Sequence, residues 1–151
     1  MGVGGMLDRM NLLGAIVTTA YYVLVIAVFA ARLLGRPRWE HGLGFAVLLL
    51  GFPLALLLAA APGLRRPPLY FVQVGLLLAY LIVEALLDYV FQVDFRHVRW
   101  MTISYATLFF AASGGMLGVA PLAGRPWGIA AIVLFLAMAA LAFVQRALTG
   151  M

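Results

Sequence analysis

From Leu12 to Leu33 the chain runs for 22 residues with a single charged side chain, Arg32, close to the end of the run. A helix of that length reaches roughly 33 Å at 1.5 Å per residue, enough to cross a hydrocarbon core of about 30 Å. Four further segments of the same character follow, so the constraint governs the whole chain. Of its 151 residues 66% are hydrophobic and 10% charged, whereas a soluble domain carries roughly a quarter charged residues to face water. The expectation is all-α: one integral membrane domain, a bundle of about five transmembrane helices joined by short loops.

Proline, glycine and arginine mark the segment ends. The first span runs from about Asn11 to Leu34 and closes at Gly35-Arg36-Pro37-Arg38-Trp39-Glu40-His41-Gly42. The second, Leu43 to Ala61, ends at Pro62-Gly63-Leu64-Arg65-Arg66-Pro67-Pro68, which cannot continue a helix. The third runs from Leu69 to about Val93, the fourth from Trp100 to Ala120, and the fifth from Trp127 to Leu148. Trp39, Trp100 and Trp127 fall at span ends, as interfacial anchors do. The first run exceeds the h-region of a cleaved signal peptide and is expected to be retained. Gly51-Phe52-Pro53 and Ser113-Gly114-Gly115 are candidate kinks, and no internal repeat joins them.

All ten basic residues are arginine. Alongside abundant Ala, Leu and Gly this reads as the codon bias of a bacterial source. The net charge of +5 does not indicate nucleic acid, because the arginines stand singly or in pairs at helix ends, where the positive-inside rule places them. Membrane lipid is the expected partner, with other membrane subunits or a homo-oligomer as further possibilities. Six arginines flank loop one, loop three and the C-terminus, against four on the opposite side. That count favours a cell-membrane protein with its N-terminus outside and its C-terminus in the cytoplasm. The absence of cysteine excludes disulfides and thiolate metal sites. No spacing of carboxylates and histidines matches an established metal signature, so no metal site is assigned, and no cofactor is indicated.

The third span carries the chemistry. Glu84 and Asp88 stand four residues apart, on one face of an α-helix, and Gln73, Tyr80 and Gln92 extend that polar stripe. A carboxylate facing lipid is costly, so the stripe is expected to face the bundle interior or a water-filled cavity. Glu84 lies roughly 22 Å and Asp88 roughly 28 Å from the Leu69 end, which makes Glu84 the stronger intramembrane acid. The alternative has both carboxylates at the interface, paired with Arg96 or Arg99. Loops one and three share a side, gathering Glu40, His41, Asp94, Arg96, His97 and Arg99 towards the mouth that Glu84 and Asp88 approach. Thr102 and Tyr105 lie near the same depth, and Tyr80 completes the candidate ligand- or proton-binding set. In the first span Asn11, Thr18 and Tyr22 share a face, which interhelical hydrogen bonding explains without a ligand. The second and fifth spans have few polar side chains and are expected to face lipid or another subunit.

No nucleophile elbow, zinc-protease helix or phosphate-binding glycine loop is present. The leading expectation is a non-enzymatic polytopic membrane protein, either a small membrane subunit or a small-ligand-binding bundle. A proton-coupled transporter or channel using Glu84, Asp88 and His97 is the rival. An intramembrane enzyme acting on lipid or isoprenoid substrates through the same cluster is third, so enzymatic activity stays open.

Overall fold

The computed structural model describes residues 3–63, 67–90 and 99–149. Those residues form an all-α bundle, with five helices long and apolar enough to cross a membrane: Asp8–Leu33, Arg38–Ala60, Pro68–Leu87, Arg99–Ala123 and Arg125–Leu148. The helical elements are α1 (Val3–Leu33), α2 (Pro37–Leu49), α3 (Gly51–Ala60), α4 (Pro68–Glu84), α5 (Arg99–Gly115) and α6 (Arg125–Thr149). A π-helical stretch, Ala85–Val90, prolongs α4, and two short 3-10 turns, Met116–Gly118 and Ala120–Ala123, follow α5.

α1 is the post around which the bundle is built. It packs on α2, on α6 and on the 3-10 turn at Ala120–Ala123, while α4 packs on α5 and α3. Ala15, Val17, Tyr21, Tyr22 and Val25 of α1 are all buried. The second and fifth spans are the least enclosed, and they expose Phe52, Leu56, Ile132, Val133 and Leu136. These are the segments with the fewest polar side chains.

Three boundaries differ from the sequence reading, each for a local reason. Loop one is much shorter than Gly35–Gly42. Gly35 turns the chain at φ +68, with its own N–H on the Arg32 carbonyl and that of Arg36 on the Ala31 carbonyl. Pro37 then opens α2 at a position where its missing N–H costs nothing. Trp39, Glu40 and His41 are therefore helical residues. The second span is broken between α2 and α3 at Leu50, just before Pro53, whose ring and missing N–H interrupt an α-helix. The fourth span keeps going as 3-10 helix through Met116–Gly118 and Ala120–Ala123, so its end moves from Ala120 to Ala123. Both sites marked by Gly-Phe-Pro and Ser-Gly-Gly are thus breaks in regular α geometry. The end expected for the third span, Val93, lies outside the described residues.

The last turn of the fourth span is locked against α6. A Cβ on Gly128 would stand 2.9 Å from the Cγ of Pro121, closer than real contacts allow. Gly128→Leu is expected to destabilise the bundle by about 1–3 kcal/mol through overpacking. Gly42→Ala, where an added Cβ meets nothing within 4 Å, is expected to be neutral or slightly stabilising. Thermal unfolding of both variants in detergent, followed by circular dichroism, checks the contrast.

Candidate functional site

The polar groups of the bundle interior form two connected clusters. The deeper one ties α1 to α5. The Tyr21 hydroxyl hydrogen-bonds the Ser113 Oγ at 2.8 Å, and the Tyr22 hydroxyl donates to the Ser113 carbonyl at 2.5 Å. Thr18 turns back on its own helix, donating to the Gly14 carbonyl at 2.7 Å. The two rings sit 5.6 Å apart, and Tyr22 meets Phe135 of α6 edge-on. Tyr22 makes the interhelical bond expected for the first span, whereas Thr18 bonds within its own helix instead.

The second cluster is the polar stripe of α4 meeting α5. Tyr80 and Tyr105 hydroxyls lie 2.8 Å apart, and Tyr105 donates to Glu84 Oε1 at 3.2 Å. A phenol has one proton to give. With the Tyr105 proton directed at Glu84, Tyr80 donates to Tyr105, and the chain runs Tyr80 to Tyr105 to Glu84. Tyr80 is buried and its ring packs on Tyr105 and Phe109.

Glu84, Tyr80 and Tyr105 face a half-open cavity of about 320 Å³ lined by α1, α2, α4, α5 and α6. Its walls are mainly apolar and aromatic: Val25, Phe29, Val47, Phe109, Phe110 and Phe143. The remaining polar groups on it are Thr102, Gln145, Arg32 and Arg146. All of these belong to one end of the bundle, where α1, α4 and α6 finish and α2 and α5 begin. α1 and α5 meet there through long side chains, with Phe29 against Phe109 at 6.0 Å.

Of the residues expected from the sequence, Glu84, Tyr80, Tyr105 and Thr102 line the cavity. Arg99 is exposed at the start of α5 and does not line it, and the ion pair of Glu84 with Arg99 is not formed. Glu40 pairs with Arg32 instead, at 2.8 Å. His41 is exposed on α2. Asp94, Arg96 and His97 fall outside the described residues, as does the Asp88 side chain. The α-helical spacing that put Asp88 on the face of Glu84 ends at Glu84, where the backbone widens to a π-helix; such widenings are frequent beside functional sites. Among the described residues no group of three or more histidines and acidic side chains is placed to hold a metal ion.

Sequence reasoning missed Arg32, Gln145, Arg146 and the phenylalanine walls. Arg32 reads as a flanking charge because its partner lies eight residues on, across a turn. Gln145 is the one strongly polar side chain in the body of the fifth segment, and it is buried. The spacing of Tyr105 and Phe109, one helical turn apart, is the trace of the aromatic wall in the sequence.

The fold and this cavity define an all-α bundle with five helices long and apolar enough to cross a membrane and a pocket at one end. Comparison with protein-family models, with curated proteins and with solved structures finds no match to this chain.

The Tyr105–Glu84 bond makes a coupling prediction. Tyr105→Phe and Glu84→Gln are expected to be non-additive, with a coupling of about 0.6–1.7 kcal/mol, the range for hydrogen bonds between membrane helices. A double-mutant cycle on unfolding in mixed micelles measures it. Strict additivity would show that the hydroxyl and the carboxylate act independently.

Proposed function

We propose that this chain is a non-enzymatic integral membrane protein that binds a small amphipathic ligand in the cavity. The observation that carries the reading is the composition of the cavity wall. Aromatic and aliphatic side chains make up most of the surface, and the hydrogen-bonded set of Tyr80, Tyr105 and Glu84 lies on it. Mostly apolar pockets with a few convergent polar groups are the usual form of a small-molecule site. A catalytic reading has less support. Ser113 is held by Tyr21, Ser104 is exposed and off the cavity, and neither is placed beside a base.

A second reading, proton-coupled transport, rests on the chain of Tyr80, Tyr105 and Glu84. Phenols in line with a carboxylate can pass a proton along hydrogen bonds. The binding reading is favoured because the lining residues all come from one end of the bundle, whereas Gln73 and Asn11, nearer the other end, do not line the cavity.

The test is occupancy. Native mass spectrometry of the chain extracted with its lipids is expected to show a small bound mass. Ala106→Trp, which fills the cavity from the α5 wall, is expected to remove it without altering the helical content. Retention of the bound mass by Ala106→Trp would sink the reading. Proton uptake into proteoliposomes that disappears in Glu84→Gln would replace it with transport. The same spectra weigh the particle, and a lone 16.3 kDa chain would count against a small subunit of a larger assembly or a homo-oligomer.

The positive-inside rule places the cavity end in the cytoplasm, because Arg32, Arg36, Arg38, Arg99 and Arg146 all stand there. The chain lacks native cysteine, so Leu34→Cys, in the exposed turn between α1 and α2, and Arg125→Cys report the two ends. An impermeant maleimide added to intact cells is expected to label only the Arg125 position.

A further inference from the structure

Arg32 is the least explained group on the cavity. It stands one residue from the end of α1, with its side chain largely enclosed. Its Nε donates to Glu40 Oε1 at 2.8 Å, and its guanidinium carbon lies 5.9 Å from the centre of the Phe29 ring. A guanidinium has five N–H donors in a planar fork. Among the described residues Nε is the only one engaged. A partly desolvated guanidinium gains from an oxyanion that reaches its terminal nitrogens. Arg32 faces the cavity, and the acceptor has room to approach from there.

The local charge has the matching sign. Arg32, Arg36, Arg38, Arg99 and Arg146 share this end of the bundle, against the carboxylates of Glu40 and Glu84. Asp88, Asp94 and Arg96, whose side chains lie outside the described residues, lower the sequence count by one charge and leave it positive. Glu40 does not cancel the fork. By taking Nε it restrains the plane of the guanidinium, as a carboxylate behind a ligating side chain does.

We infer that Arg32 is an oxyanion subsite of the cavity, recognising a phosphate or carboxylate head on the bound amphiphile, with Glu40 as its positioning residue. The inference rests on the ligand-binding reading above and adds the class of ligand. The head takes the paired N–H groups of the fork, the geometry that suits a planar or tetrahedral oxyanion. The tail lies along Phe29, Phe109, Phe110 and Phe143. Arg146, exposed on α6 and also lining the cavity, adds attraction.

The experiment uses the full chain in phosphatidylcholine nanodiscs, titrated calorimetrically below micellar concentrations and corrected with empty discs. The ligands are octyl phosphate, octyltrimethylammonium and inorganic phosphate. Octyl phosphate is expected to bind about tenfold or more tighter than octyltrimethylammonium, with most of that preference lost in Arg32→Gln. Arg32→Lys is expected to fall between the two, because it keeps the charge and loses the fork. Glu40→Gln should lower the phosphate-to-ammonium preference while leaving octyltrimethylammonium unchanged. Arg38→Gln removes an exposed charge at the same end and is expected to shift affinity by no more than about twofold at physiological salt. If both amphiphiles bind equally and Arg32→Gln changes neither, the subsite is overturned and the ligand-binding reading stands. Inorganic phosphate binding as tightly as octyl phosphate, and lost in Arg32→Gln, keeps the subsite and overturns the amphipathic ligand. Absence of binding by all three overturns both.

Discussion

α1 and α5 do not lie backbone to backbone, and what joins them is a pair of tyrosines reaching from one to a serine of the other. Tyr21 takes the Ser113 hydroxyl and Tyr22 the Ser113 carbonyl. In lipid the apolar effect gives no preference for helix on helix over helix on lipid, so association depends on packing and hydrogen bonds. A phenol is long, and using two of them sets α1 and α5 a side chain's length apart at mid-bundle. Towards the mouth the same separation continues without tyrosines to fill it, and the space becomes the cavity. Ser113 stands just before the fourth span tightens into a 3-10 turn, where carbonyls lose regular partners, so the Tyr22 bond serves the backbone as well as the contact.

The five-span architecture was legible because hydrophobic length is a one-dimensional property. A run such as Leu12–Leu33 has few alternatives once water is excluded. The polar stripe of α4 was legible for a related reason: Tyr80 and Glu84 are one turn apart, and a carboxylate in an apolar helix must turn inward. Which residues the stripe would meet was not legible. Tyr105 was placed by depth, but its hydroxyl reaching Glu84 depends on how α4 and α5 rotate against each other. The walls were hidden because Phe29, Phe109, Phe110 and Phe143 look the same in sequence as phenylalanines that face lipid. Phe143 is itself exposed at 67%, so only the surface it turns inward distinguishes it.

Arg32 and Glu40 show how one boundary error propagates. Reading Gly35 to Gly42 as irregular chain puts Glu40 in a loop, with no fixed relation to α1. Once Gly35 makes a left-handed turn and Pro37 starts α2, Glu40 is held in the first turn of a helix antiparallel to α1. A carboxylate there is favoured by the amino-terminal dipole of α2, and Arg32 in the last turn of α1 by the opposite end of that helix. Each charge therefore suits its own helix before the two meet, and the pair spends little additional ordering on its geometry.

Glu84 and Arg32 solve the same problem in different ways. A charge near hydrocarbon must be given partners or lose its charge. Glu84 accepts from a phenol that is itself supplied by a second phenol, so part of its need is met by neutral donors that bring no compensating charge. Arg32 has a full counter-charge in Glu40, but on one nitrogen of three. The cavity wall therefore carries an acceptor supplied by phenols and a donor fork engaged, among the described residues, at Nε alone. A ligand that stabilises this arrangement brings acceptors to the fork and apolar surface to the phenylalanines. Its acceptors must also sit away from the Glu84 carboxylate, which sets a head at one edge of the cavity and a tail across the rest. The asymmetry of the two solutions, more than the presence of a cavity, is what gives the pocket a direction.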